Sequence, residues 1–365
     1  MWKKLAAVSL GALFLSGCSV QLPFSVGGGA GGSFWKSIDA GNTFEPKVTI
    51  DEEKKIASAD VLSLAFHPTN SEIIYIGTLG SGLFKTIDAA ETWTPMVFPP
   101  VKNYGLAIDP QNGDRLYASG VYENVSKVYR TDDAGENWKE IYTEPGPGTV
   151  ITALELHPNA PQVLYASTSA GVVIRSQDGG ETWTNIVAAK GPVTEILLER
   201  GSMNTVTLLV FNMGTMTSTN GGETWEDFAA QTYVAPQTDT RAGSVVGNTT
   251  GVQKPQNITT LAADPGRAGV IYAGAKNGLY RSTDYGRNWQ PIDVIESAKK
   301  FPTRAIAINP TNSNEIIFAA GRAFYKSIDG GVNWATTELQ IDRGVSVLRY
   351  DPFHPETIYF GLRKF

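Results

Sequence analysis

One eight-residue pattern, S/T-x-D-x-G-x-T/N-W, occurs seven times in this 365-residue chain and constrains its fold more than any other feature. The copies span residues 37–44, 86–93, 131–138, 176–183, 218–225, 282–289 and 327–334. Their third positions are separated by 49, 45, 45, 42, 64 and 45 residues. A repeat of this length is typical of an array of small structural units that stack on one another.

The residue types of this box predict a tight hairpin. An aspartate after an extended segment can fold its carboxylate onto backbone N–H groups of the following turn, and a glycine two places later accepts a positive φ. The tryptophan then begins the next strand and buries its ring between neighbouring units. Ala90, Asn220 and Phe44 replace the glycine, aspartate and tryptophan of single copies, which a catalytic site would not tolerate. We therefore interpret the third positions as structural: Asp39, Asp88, Asp133, Asp178, Asn220, Asp284 and Asp329.

A second unit precedes each box. It consists of an alternating apolar strand, an X-Pro turn and a strand that ends in Tyr or Phe followed by small residues, as in residues 62–77 and 151–167. Alternation with a period of two predicts antiparallel strands. Each full repeat thus supplies four strands, and the sequence predicts an all-β fold, a seven-bladed β-propeller with four-stranded antiparallel blades.

The chain starts and stops out of phase with this repeat. The first box follows only residues 34–36, and no box follows the last pair of strands. We expect the N- and C-terminal strands to share one blade, which closes the ring and removes an open sheet edge. A single propeller is therefore predicted over residues 34–365.

The N-terminus is typical of an export signal over residues 1–17, with two lysines before a short apolar run. It ends in LSGC, which resembles the bacterial lipobox, and Cys18 is the only cysteine in the chain. The alternative is a small-residue cleavage site with a chance cysteine. Lipidation of Cys18 predicts an exported protein that is anchored to the cytoplasmic membrane outer face or to the outer membrane, with residues 18–33 as a glycine-rich tether.

Composition excludes several classes of function. The net charge of −6 becomes −8 once Lys3 and Lys4 are removed with the signal, which disfavours nucleic acid as a partner. No Walker loop, zinc spacing or nucleophile elbow is present, so neither a cofactor nor a metal is expected. The three histidines, His67, His157 and His354, lie at turns.

The boxes and the strands before them resemble the Asp-box (BNR) propellers, which include sortilin-type domains, xyloglucanases, sialidases and photosystem II assembly factors. The resemblance covers nearly all of residues 34–365 and implies the fold rather than an activity. The Arg-Ile-Pro segment of sialidases is missing. Xyloglucanases of this type use two propellers with a cleft between them, whereas this chain has length for one.

Propellers bind ligands in the central funnel, where small residues of the innermost strands face the axis. Glu155, Glu195 and Arg349 interrupt these small residues, and Asp60 and Arg304 lie near the strand starts. They are the candidate ligand-binding residues, with a solvated channel and an internal Glu–Arg pair as the alternative. A one-residue slip of register would move them to the other face. The 227–257 insertion is a second candidate, either a binding lid or a disordered loop.

From these features we expect a monomeric, membrane-tethered, non-catalytic scaffold that binds a protein or a polysaccharide of the cell envelope. The alternative is a glycoside hydrolase-like enzyme that uses the funnel carboxylates.

Overall fold

A computed structural model describes residues 32–227 and 254–365. The predicted signal peptide, Cys18, most of the tether and most of the 227–257 insertion lie outside the described residues. Within these two ranges, 28 strands form seven four-stranded antiparallel sheets, which confirms the predicted seven-bladed β-propeller. A short 3₁₀ helix spans Ala298–Lys300, and neither range contains a helix long and apolar enough to cross a membrane.

The strands are numbered in chain order. The first two are β1 (Phe34–Ser37) and β2 (Glu45–Pro46). Blade 1 contains β3 (Val61–Phe66), β4 (Ile74–Thr78), β5 (Leu83–Thr86) and β6 (Thr94–Pro95), and blade 2 contains β7 (Lys102–Asp109), β8 (Asn112–Tyr122), β9 (Val125–Thr131) and β10 (Lys139–Thr143). Blade 3 contains β11 (Ile151–Leu156), β12 (Leu164–Thr168), β13 (Val172–Ser176) and β14 (Thr184–Ala188), and blade 4 contains β15 (Val193–Leu198), β16 (Val206–Val210), β17 (Gly214–Ser218) and β18 (Glu226–Asp227).

Blade 5 contains β19 (Ile258–Ala263), β20 (Ile271–Ala275), β21 (Gly278–Ser282) and β22 (Gln290–Ile292), and blade 6 contains β23 (Thr303–Asn309), β24 (Asn312–Ala320), β25 (Ala323–Ser327) and β26 (Ala335–Glu338). The last two strands are β27 (Gly344–Tyr350) and β28 (Ile358–Arg363).

Blade 7 is built from both ends of the chain, as predicted. Its strand order is β2-β1-β28-β27, and β1 pairs with β28 from Phe34 opposite Gly361 to Ser37 opposite Ile358. The innermost strand of this blade therefore comes from the C-terminal part of the chain and the two outer strands from the N-terminal part. Hydrogen bonds between β1 and β28 close the ring.

Apolar side chains are buried between blades. Seven hydrophobic clusters occur among the described residues, and each contains residues of two neighbouring blades. Between blades 7 and 1, for example, the Trp93 ring meets Phe34 edge-to-face at 5.1 Å, and its Nε1 donates to the Lys47 carbonyl at 2.9 Å. The aromatic residue of the box thus packs its own blade against the preceding one.

The box aspartates bind the turn that follows them. In blade 3, Asp178 Oδ1 accepts the Thr182 N–H at 2.9 Å, and Oδ2 accepts the Thr182 hydroxyl at 2.6 Å. The Ser176 hydroxyl donates to Asp178 Oδ1 at 2.8 Å and accepts the Gly180 N–H at 2.8 Å. Gly180 has a φ of 93°, which only glycine adopts without strain. All seven boxes repeat the backbone bond to the third-position side chain.

Asn220 keeps this geometry without a charge. Its Oδ1 accepts the Thr224 N–H at 2.9 Å, and its Nδ2 donates to the Thr224 hydroxyl at 2.9 Å, so only the direction of the second bond is reversed. The amide therefore fulfils the structural role that the sequence assigns to the carboxylates.

A feature that the sequence interpretation missed connects five of the seven boxes to the blade before them. Six of the seven boxes follow directly on a lysine or arginine, and blade 4 has Thr217 there. At five interfaces this side chain donates to the carbonyl of the fourth box residue of the next blade: Lys36 to Ala89, Arg130 to Gly179, Arg175 to Gly221, Thr217 to Tyr285 and Lys326 to Ala40.

Substitution of Asp88 tests the structural role of the box. Its carboxylate accepts the Thr92 N–H at 2.9 Å and the Thr86 and Thr92 hydroxyls at 2.6 Å. Asp88→Ala leaves these donors without an acceptor and should lower the free energy of unfolding by on the order of 2 kcal/mol. Asp88→Asn should cost less than half of that loss, because Asn220 shows that an amide still accepts the turn N–H and only reverses the bond with the threonine hydroxyl. Urea denaturation of the three proteins measures both differences, and equal losses in the two variants would contradict the hydrogen-bonding explanation.

Candidate functional site

The innermost strands β3, β7, β11, β15, β19, β23 and β27 line the central funnel in two layers of equivalent register. The first, the Glu155 layer, contains Ala65, Ala107, Glu155, Leu197, Ala262, Ala307 and Arg349. The second, the Glu195 layer, contains Ser63, Gly105, Ala153, Glu195, Thr260, Ala305 and Val347. The first layer contains two charged side chains, Glu155 and Arg349, and the second contains one, Glu195.

Glu155 and Arg349 face each other across the funnel. They lie in the same layer on blades 3 and 7 of the seven, both side chains are exposed, and their strand neighbours Leu154 and Leu348 are buried. Among the described residues, no carboxylate lies within 4.0 Å of the Arg349 guanidinium, so the predicted internal Glu–Arg pair does not form a contact. Two opposite charges therefore remain available on opposite walls.

The Glu155 side chain is exposed to the water of the channel, and its carboxyl lies inside the ring of blades. Partial desolvation by the surrounding protein raises the pKa of Glu155 to about 7, against the opposing effect of the Arg349 charge and with a smaller contribution from Glu195. Glu155 can consequently change its charge close to neutral pH.

Glu195, on the neighbouring blade 4, is held by the next blade. Its Oε2 accepts the backbone N–H of Leu261 at 2.7 Å, which links β15 to β19. Burial raises the pKa of Glu195 to about 7, and hydrogen bonds from Leu261 and Thr260 partly offset this effect. One carboxylate oxygen of Glu195 is thus committed to a contact between blades.

The structure places Asp60 and Arg304 apart from these three residues, at the mouth where the innermost strands begin. Asp60 Oδ1 accepts the backbone N–H of Lys364 at 2.9 Å and lies 3.6 Å from Arg343 Nη1. The Arg304 guanidinium carbon lies 3.6 Å from the centre of the Phe365 ring. The five predicted candidates therefore form two groups, one inside the funnel and one at its mouth.

Two arginines of the mouth were missed by the sequence interpretation. Arg343 is only 8 % exposed and donates to the carbonyls of Ala59 and Ala57 at 2.8 Å, which fixes the segment before β3. Arg363 lies beside Arg304, with its guanidinium carbon 4.3 Å from the centre of the Phe365 ring. Neither belongs to the repeated pattern, so no periodic signal distinguishes them.

This arrangement suits binding by charge and hydrogen bonds. Within residues 32–227 and 254–365, no group of three His, Cys, Asp or Glu side chains could hold a metal ion. The funnel offers an acidic wall on blades 3 and 4 and a basic wall on blade 7, separated by small side chains.

Two protein families match the chain. The family described as "DUF6242 beta propeller domain" matches residues 111–346, which are 236 of the 365 residues. The family described as "Sortilin, neurotensin receptor 3" matches residues 32–141. Both matches agree with the propeller seen in the structure.

Curated relatives match shorter stretches. A xyloglucanase of Hypocrea jecorina is 27% identical over 125 residues, which are 33% of this chain and 14% of the relative. A probable oligoxyloglucan-reducing end-specific xyloglucanase of Neosartorya fischeri is 30% identical over 106 residues, 27% of this chain and 13% of the relative. The chain thus spans only a small part of the length of these relatives.

Solved structures share the fold. The GH74 enzyme of Niastella koreensis has a TM-score of 0.64 at 18% identity, with 84% of this chain and 51% of that chain covered. YCF48 bound to D1 peptide has a TM-score of 0.61 at 15% identity, with 87% of this chain and 100% of that chain covered. At these identities the likeness concerns the fold alone.

The raised pKa of Glu155 predicts a pH-dependent stability. The carboxyl pKa rises from 4.5 to about 7 on folding, so the cost of ionising Glu155 in the native state is absent below about pH 4.5 and complete above about pH 7. Glu155→Gln should therefore unfold at a higher urea concentration than the parent protein at pH 8, and at the same concentration at pH 4. The exposed Glu223→Gln is the control and should change neither value. A gain of equal size at both pH values would argue against burial of the Glu155 charge.

Proposed function

The chain belongs to the DUF6242 β-propeller family and is related to sortilin-type, GH74 xyloglucanase and YCF48 propellers, and from this premise we propose that it is a non-catalytic binding scaffold of the cell envelope. Its ligand is a protein or a glycan, held at the central funnel. The observation that carries the proposal is the exposed pair Glu155 and Arg349, on opposite walls and without a mutual contact.

Opposite charges that face each other across a concave site without touching support ligand binding. Charged groups inside a channel are costly unless a partner compensates them, and the walls between these two consist mostly of small residues that leave room. A ligand that presents an acidic group to Arg349 and a hydrogen-bond donor to Glu155 would compensate both.

The carboxylates support binding better than glycoside hydrolysis. A glycosidase pair needs one protonated and one ionised carboxyl, so its two environments must push the pKa values apart. Here burial raises the pKa of Glu155 and of Glu195 to about 7 alike, and Glu195 Oε2 is occupied by the Leu261 N–H. Hydrolysis remains the second candidate, because xyloglucanases are among the relatives and a carboxyl with a raised pKa suits a general acid.

The tether supports a position at a membrane. The LSGC sequence that ends at Cys18 suits lipidation, and the first described residues reach blade 7 on the same face as Phe365. A structurally similar protein, YCF48 bound to D1 peptide, is one example of a propeller of this size that binds a polypeptide. Within the proposal, the anchor keeps the funnel close to ligands of the envelope.

Capture from envelope extract tests the funnel. The purified protein is immobilised as parent, as Glu155→Gln, as Arg349→Gln and as the control Arg322→Gln, which changes the same charge at an exposed position of blade 6. We expect one protein or glycan that is retained by the parent and by Arg322→Gln and is reduced by about tenfold in each funnel variant, since each loses a charge-assisted hydrogen bond. Identical capture by all four proteins would exclude the funnel as the site. Release of reducing ends from xyloglucan that Glu155→Gln abolishes would instead favour the enzyme.

The anchor has a test of its own. Cys18→Ala removes the acceptor of the lipid, and we expect the protein to move from the membrane fraction to the soluble fraction, measured by immunoblotting after ultracentrifugation. Cys18→Ser serves as a second variant without a thiol. Retention of both variants in the membrane fraction would show that something other than a lipid on Cys18 holds the protein there.

A further inference from the structure

Two guanidinium groups stack on one exposed ring at the funnel mouth. The guanidinium carbons of Arg304 and Arg363 lie 3.6 Å and 4.3 Å from the centre of the Phe365 ring. Phe365 is 56 % exposed, and both arginines are half-buried. Cation–π contact at these distances restricts the rotation of both guanidinium groups.

Three strands hold this cluster in place. Arg304 lies in β23 where the pairing with β24 shifts its register. Arg363 is the last residue of β28 and pairs with Gly344, the first residue of β27. A Cβ atom on Gly344 would lie 2.6 Å from the Phe365 ring, so the ring rests directly on the start of the innermost strand of blade 7. The cluster therefore sits at the boundary of blades 6 and 7, on the rim of the funnel.

The cluster has no ion-pair partner among the described residues, although the charge of Asp60 acts on Arg363 from a longer distance. None of their carboxylates lies within 4.0 Å of the guanidinium groups of Arg304 or Arg363, and Arg363 Nε is buried without a hydrogen-bond partner. Asp60, the nearby acid, already accepts the Lys364 N–H and lies against Arg343. Two like charges are thus held together with free donors.

We propose that Arg304 and Arg363, held on Phe365, form a binding site for a carboxylate of an acidic ligand that enters the funnel. The planar guanidinium fork matches a planar carboxylate through two parallel hydrogen bonds. Phosphate sites commonly add a lysine or a cradle of backbone N–H groups at a helix or turn, and this cluster is built from side chains on strand ends. The chemistry therefore favours carboxylate over phosphate.

The site continues into the funnel. Arg349 lies on β27 five residues beyond Gly344, which is a rise of about 16 Å along the strand. A ligand with two acidic groups could reach the mouth and Arg349 along the wall of blade 7. The inference rests on the proposed function only in that the ligand enters the funnel, and binding of a small carboxylate at the mouth can be measured whether or not an envelope ligand is captured.

Acetate is the probe. Saturation-transfer NMR of its methyl protons is recorded with the full-length protein in detergent, as parent, Arg304→Gln, Arg363→Gln and the control Arg322→Gln, each checked for an unchanged thermal unfolding profile. We expect a Kd on the order of 1–10 mM for the parent and for Arg322→Gln, because a ligand of four heavy atoms binds weakly at best. Each of the other variants should weaken binding at least about fivefold, since each loses a charge-assisted hydrogen bond.

Two further measurements keep the result decisive. Arg304→Lys retains the charge but not the fork, so weakened binding in this variant supports bidentate recognition and also covers the case in which Arg304→Gln does not fold. Inorganic phosphate is then titrated against bound acetate. Equal acetate binding by Arg304→Gln and Arg322→Gln would overturn the site, and displacement of acetate by phosphate at a much lower concentration would overturn its assignment to a carboxylate.

Discussion

The hydrogen bonds that the box side chain accepts from its own turn are the interaction on which the propeller depends. They fix the hairpin, and the fixed hairpin presents one backbone carbonyl to the preceding blade. At five interfaces, the residue that precedes the box of one blade donates a hydrogen bond to this carbonyl in the next blade. Lys36 donates to the Ala89 carbonyl at 2.9 Å, and Lys326 donates to the Ala40 carbonyl at 2.7 Å. A turn without an acceptor at the third position would shift this carbonyl, so the hydrogen bonds within the box also support the contact between blades.

Close packing of the blades explains the small residues around the funnel. A Cβ atom on Gly105 would lie 2.7 Å from the Leu154 Cβ of the next blade, and one on Gly361 would lie 2.6 Å from Val61. Small side chains therefore predominate in both layers, and long polar side chains can be accommodated where they point into the open channel. Glu155 and Arg349 do so at a cost in desolvation that packing does not require, which is the physical reason to connect them with a ligand.

The sequence predicted the blades, the shared terminal blade and the register of the innermost strands, because each of these follows from a local pattern that repeats. It also identified Glu155, Glu195 and Arg349 as interruptions of that pattern. It did not reveal the bond from Leu261 to Glu195 or the stack of Arg304 and Arg363 on Phe365, since those contacts join residues of different strands or blades. The basic residue before six of the seven boxes was visible as a repeat, but the carbonyl that four of these side chains contact lies one blade away.

Rigidity of the ring makes the funnel suitable for binding. The boxes lie on the face where the innermost strands end, since Ser37 and Tyr350 both pair with Ile358, whereas the guanidinium cluster lies at the opposite mouth. The scaffold interactions are thus separated from the charged groups of the funnel. Contacts between neighbouring blades at the box face hold Glu155 and Arg349 on separate walls, so a ligand that bridges them meets groups already in position.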